Sequence, residues 1–266
     1  MISFEQQERW VRARVQLSLD PADANFCSAG LFALLDGPGI AVVVLPADVL
    51  AQPVDFTDDL PGIVLPDRFR GLTANGISAL SGSMTTSTAL LRFAPGVPPR
   101  CNAFVALDRH GGVLSGIGTI SRYQVNGGRH SPMQALHLFM LAHLIGVIID
   151  SQARVLAWAS RQSPAVDIAG PFEIVVGVPA AAQVVLGGLN EGWESPEYAL
   201  DLPPRALEKN VLVRLQAEAW PADQDSLGEL KVRVLNRACE AFGDRQQRFL
   251  VRQGHPGAGM MPERYA

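Results

Sequence analysis

Three stretches of the chain read as a strand, a capped helix, a glycine stop and a second strand, and together they predict an α+β protein with helices packed on mixed β-sheets. Two observations carry this. A proline follows an N-cap type at two candidate helix starts, Asp20-Pro21 and Ser131-Pro132, the third opens with Pro221-Ala222-Asp223, and glycines sit at the helix ends. The segments that flank those helices alternate apolar and polar side chains, or run continuously apolar, as strands do when a sheet face is covered.

The first unit begins with Val11, Ala13, Val15, Leu17 and Leu19 alternating with Arg12, Arg14, Gln16 and Ser18, the period of a half-covered strand. Asp20-Pro21-Ala22-Asp23 then offers a cap, a proline in the first turn and an acid near the positive end of the helix dipole. An apolar helix follows to about Leu35, Gly37-Pro38-Gly39 stops it, and Ile40-Ala41-Val42-Val43-Val44-Leu45 is a buried strand.

Residues 53–70 have little helical signal and carry Asp55, Asp58 and Asp59 among prolines, while 81–88 is nearly all Ser and Thr and reads as a solvated edge strand. Residues 103–107 and 113–120 flank Asp108-Arg109-His110-Gly111-Gly112, a β-hairpin turn.

The central unit starts with a strand over 119–125. Ser131-Pro132-Met133-Gln134 has the form of a capping box, so the spacing predicts a helix from Pro132 to a stop at Gly146. About 14 residues at roughly 1.5 Å each give about 21 Å, too short for a bilayer core of roughly 30 Å. Val147-Ile148-Ile149 then reads as a short buried strand. Beyond it come a strand over 172–178 and a short helix over 180–189. The third unit has the alternating strand of Val211, Val213, Leu215, Ala217 and Ala219, then a helix opened by Pro221-Ala222-Asp223. Its stripe is Leu227, Leu230, Val234, Leu235, Ala238 and Phe242, and it is closed by Gly243 before a strand over 248–251. Residues 14–23 and 214–223 share Arg, Gln and Pro-Ala-Asp, which fits either a duplication or, the favoured reading, chance in an Ala-rich chain helped by the common need for a capped strand-to-helix corner. The punctuation Ser163-Pro164 and Gly170-Pro171 divides the chain into an N-terminal lobe, 1–165, a C-terminal lobe, 166–252, and a flexible tail, 253–266.

With 48% hydrophobic residues the chain can bury a full core, and a net charge of −4 without a block of like charge gives no support to a phosphate-binding face. Nucleic acid is therefore unsupported as a partner. Cys27, Cys101 and Cys239 lie far apart and read as reduced, buried thiols. No export signal precedes the first strand, and the Lys-poor composition suits a GC-rich bacterium, so a bacterial cytoplasm is the expected location.

Metal and cofactor are not expected. His137 and His143 are six residues apart, which on a helix points them about 120° away from each other. Asn126-Gly127-Gly128-Arg129-His130-Ser131 is the best site candidate, because a glycine-bearing turn at a helix start aims free amides at an anion and Arg129 can pair with it. Asp108 and His110 would need a nucleophile, and no GxSxG elbow supplies one. The favoured function is a non-catalytic protein-binding protein of the immunity, adaptor or accessory kind, meeting another protein through Asp55, Asp58, Asp59 and neighbouring edge strands. The alternative is an enzyme or ligand-binding domain for a phosphate-bearing small molecule or nucleic acid at Gly127, Gly128, Arg129, His130 and Ser131, with His130 as acid or base.

Overall fold

A computed structural model of the chain describes residues 39–46, 66, 80–85, 89–95, 101–108, 111–118, 122–125, 133–162, 171–187, 205–221, 223–243, 249–250 and 261–262. The fold is α+β. Strands β1 (Ile40–Pro46), β2 (Gly82–Thr85), β3 (Ala89–Pro95), β4 (Cys101–Asp108), β5 (Val113–Ile117), β8 (Phe172–Val178) and β10 (Val211–Ala217) form a seven-stranded sheet in the order β10-β8-β1-β5-β4-β3-β2. Every neighbouring pair in it is antiparallel. A smaller sheet, in the order β6-β7-β9, joins β6 (Arg122–Val125), β7 (Met133–His137) and β9 (Val185–Gly187), the last two parallel.

Helices α1 (Leu138–Gln162) and α2 (Gln224–Ala241) pack on each other, α1 against β1 and β5 and α2 against β10. The register sorts the sheet into two faces. Ile40, Val42 and Val44 stand beside Val113, Ile117, Ile174 and Val176, and all of these join the helices in one core. The alternate set, Ala41, Val43, Leu114, Phe104, Ala106 and Val175, lies on the other face and is also fully buried. Strands covered on both faces need apolar side chains at every position, which is why β1 is a continuous aliphatic run.

Several expectations hold. β8 occupies the expected 172–178, and β4 and β5 pair across the hairpin at 108–112. β2 is short and stands at one end of the sheet order. In β10, Val211, Val213 and Ala217 are buried while Gln216 is exposed. The Asp223 carboxylate caps α2 by accepting from the Ser226 amide at 2.8 Å. The predicted stripe from Leu227 to Phe242 is buried, and Gly243 follows at φ 85°, the left-handed stop that glycine takes without strain.

The central unit differs. Residues 133–137 form a strand, not the first turns of a helix, because β6 pairs along one side of it and β9 along the other. That long-range pairing outweighs the local capping signal of Ser131 to Gln134. The helix starts at Leu138, immediately after β7, and passes through Gly146 to Gln162. Residues 147–149 are thus helical, and Leu138, Leu141, Ile145, Ile148, Gln152, Val155 and Ala159 form one continuous buried stripe at alternating spacings of three and four. A mid-helix glycine costs about 1 kcal/mol relative to alanine, less than the gain from burying either isoleucine beyond it.

At 25 residues, α1 is about 37 Å long, so it is not too short for a bilayer. It meets the length and composition of a membrane span, yet more than half of that stretch is buried inside the protein. The helix expected over 180–189 is replaced by a turn and β9. Ala180 and Gln183 take left-handed φ values of 48° and 67°, which interrupt any helix.

β8 and β10 lie in the same sheet as β1, so strands from both sides of residue 165 share one core. β11 (Phe249–Leu250) pairs with β12 (Met261–Pro262), which lies within the 253–266 segment. The first expected strand and helix, over 11–35, lie outside the described residues.

The path of α1 gives a direct test. Gly146→Ala should raise stability in urea denaturation by about 0.5–1 kcal/mol, as alanine does inside a helix. A loss of that size would mean that Gly146 ends a helix.

Candidate functional site

The candidate residues Gly127, Gly128, Arg129, His130 and Ser131, and the acids Asp55, Asp58 and Asp59, lie outside the described residues. Their flanks do change the chemistry expected of the turn. Val125 pairs with Met133, so the segment connects two antiparallel strands, β6 and β7, and the helix whose amino end was to receive an anion begins only at Leu138. Asp108 closes β4, and Arg109 and His110 lie outside the described residues.

The two histidines are divided between elements. His137 ends β7 and stacks on Tyr123 with ring centroids 4.1 Å apart, while His143 lies in α1. Among the described residues no group of three or more His, Cys, Asp or Glu side chains converges as a metal site would require. Cys239, on the buried side of α2, is in no disulfide.

The most concentrated polar arrangement surrounds Arg122, which the sequence reading passed over. Ala41 pairs with Gly177, so Gly39 and Pro179 fall just beyond the same end of the β1–β8 ladder. Arg122, at the start of β6 and only 7% exposed, reaches that end. Its Nη1 donates to Ala180 O at 2.9 Å and to Gln134 Oε1 on β7 at 3.2 Å. Its Nη2 donates to Pro179 O and lies 3.5 Å from Gly39 O.

Burial pushes the Arg122 pKa down to about 10, which still leaves it charged at neutral pH. No carboxylate among the described residues pairs with it. Carbonyl oxygens take that part, and a planar fork suits several of them at once. Desolvating a cation costs several kcal/mol, whereas each hydrogen bond from a charged group returns roughly 1.5–3 kcal/mol, so the clamp needs most of its bonds to be stable.

Two glycines permit the close approaches around this junction. A Cβ on Gly39 would stand 1.9 Å from Ile117 O, and one on Gly187 would stand 1.8 Å from the Tyr123 hydroxyl. Gly39 faces backbone, so nothing there can swing away.

The turn that Arg122 holds is itself tied to the loop before β10. Ala180 N donates to Asn210 Oδ1 at 3.1 Å, Ala181 N to Lys209 O at 2.6 Å and Gln183 N to Ala206 O at 3.0 Å, while Ala206 N returns a bond to Val184 O at 3.0 Å. Ala206 is buried. Its neighbour Leu207 is 81% exposed, the one large hydrophobic so exposed among the described residues. A chain of bonds therefore runs from the buried cation, through the 179–184 turn, to a projecting leucine whose backbone is held on both sides.

A second polar link joins the helices. Lys231 on α2 is 5% exposed, and its Nζ donates to Asp150 Oδ1 on α1 at 2.6 Å. Asp150 is far more exposed, so water completes its solvation and the pair is not a sealed one. On α1, Gln152 interrupts the apolar stripe because its Nε2 donates to Gly111 O at 3.0 Å, tying the β4–β5 turn to the helix. On the far face of the sheet Arg214 pairs with Glu173 at 2.8 Å. These groups fasten elements to one another and form no nucleophile-and-base pair. The chain matches no protein-family model, no curated protein and no solved structure.

Two measurements follow from this geometry. Arg122→Gln should lower the urea-denaturation free energy by about 2–4 kcal/mol, since it strands carbonyls at the β1–β8 end; Arg122→Lys should recover part of that loss, because an ammonium cannot fork between Pro179 and Ala180. An unchanged Arg122→Gln midpoint would show that the clamp does not hold the sheets together. Burial also holds the His143 pKa below its usual 6.5, against the opposing pull of Asp150. Between the ordinary value and the lower folded one the unfolded chain binds more protons, so stability rises with pH through that window and is lost as pH falls through it. His143→Gln should flatten the fall in urea midpoint below pH 6.5, and parallel curves for the two proteins would remove His143 as its cause.

Proposed function

We propose that the chain is a non-catalytic protein-binding protein, of the adaptor, immunity or accessory kind, and that it meets its partner at the Leu207 loop and the adjoining edge of β10. One observation carries the reading: an exposed leucine is displayed in a loop held to a turn clamped by a buried arginine, through the backbone of residues 206 and 209 and the side chain of Asn210. A lone exposed leucine is ordinary on a protein surface. One on pre-ordered backbone is a better anchor, because less conformational entropy is lost when a partner closes over it.

β10 supports the same reading. It ends the strand order among the described residues, is seven residues long, and pairs with β8 without a register shift. The opposite end of the sheet is β2, only four residues of Gly, Ser, Met and Thr. Short strands blunt an edge, whereas a long regular strand without proline offers a template for an extended segment of another protein. The expected partner surface at Asp55, Asp58 and Asp59 remains part of the proposal on sequence grounds alone. Placement in a bacterial cytoplasm belongs to it too, supported by a Cys239 that is in no disulfide and by two lysines against twenty arginines.

Affinity capture from the native host, run side by side for the wild type and Leu207→Glu, tests the proposal. The wild type should retain a stoichiometric protein that the variant loses by tenfold or more, with thermal unfolding little changed because the leucine buries little of its surface in the fold. Equal retention by both proteins would overturn the role of Leu207, and capture of no stoichiometric protein would overturn the reading itself.

A further inference from the structure

We draw no further inference here: the strongest candidate, the buried guanidinium of Arg122 at the end of the β1–β8 pair, belongs to the clamp already described, its recorded bonds all running to carbonyl or amide oxygens of the fold.

Discussion

Burial of β1 on both faces is the constraint from which the rest of the architecture follows. Residues 40–44 are wholly inaccessible, so every side chain they carry must be apolar and every backbone group must find a partner within the sheet. β5 supplies partners along one side and β8 along the other. Antiparallel sheets commonly leave one face to water, and their strands then alternate. Here β1 is a continuous apolar run, β5 is interrupted only by the buried Ser115, whose hydroxyl donates to Phe104 O at 2.7 Å, and β8 only by Glu173, which pairs with Arg214; alternation returns in β10 at the end of the sheet, where Arg214 and Gln216 reach less crowded surroundings. Helices α1 and α2 cover one of the two faces, and their shared stripe of leucine, isoleucine and valine forms the main core with it.

How much of this was legible in the sequence depended on whether the deciding signal was local. α2 was readable because its cap, its stripe and its glycine stop all lie within about twenty residues and agree with one another. β1, β8 and the β4–β5 hairpin were readable from aliphatic runs bounded by glycine and proline. The β7–α1 junction was not. Ser131 to Gln134 carries good helix-start chemistry, and only pairing with β6 and with the distant β9 makes residues 133–137 a strand. Gly146 looked like an end because glycine often is one; the stripe that continues to Ala159 held the contrary signal, masked by the polar Gln152 at its centre. Such a residue reads as a break until its bond to the Gly111 carbonyl is seen.

The candidate site divides in the same way. Arg129 and its glycines drew notice through composition, but the helix meant to give their turn an electrostatic purpose starts at Leu138, beyond β7. Arg122 attracted none, since a single arginine next to a tyrosine has no pattern. Its importance lies in what three distant segments bring to it: Gly39 before β1, Pro179 and Ala180 after β8, and Gln134 on β7. Leu207 was likewise invisible, because exposure of a leucine is a property of the folded loop and of nothing in its neighbours. Local grammar finds elements; convergence of remote backbone has no local grammar.

The position of β1 between β5 and β8 also governs how the chain can assemble. Ala41 and Gly177 are neighbours in the sheet although they lie 136 positions apart in the chain, a contact order that favours slow folding. At roughly 5–20 residues per second, ribosomal synthesis separates the emergence of β1 from that of β8 by about 7–26 seconds. During that interval the run Ile40-Ala41-Val42-Val43-Val44-Leu45 lacks one of its two strand partners, and a segment of such β-propensity without charge is prone to pair with copies of itself. Shielding of the nascent chain until residue 178 has been made is therefore the step at which a chaperone that holds apolar segments would act.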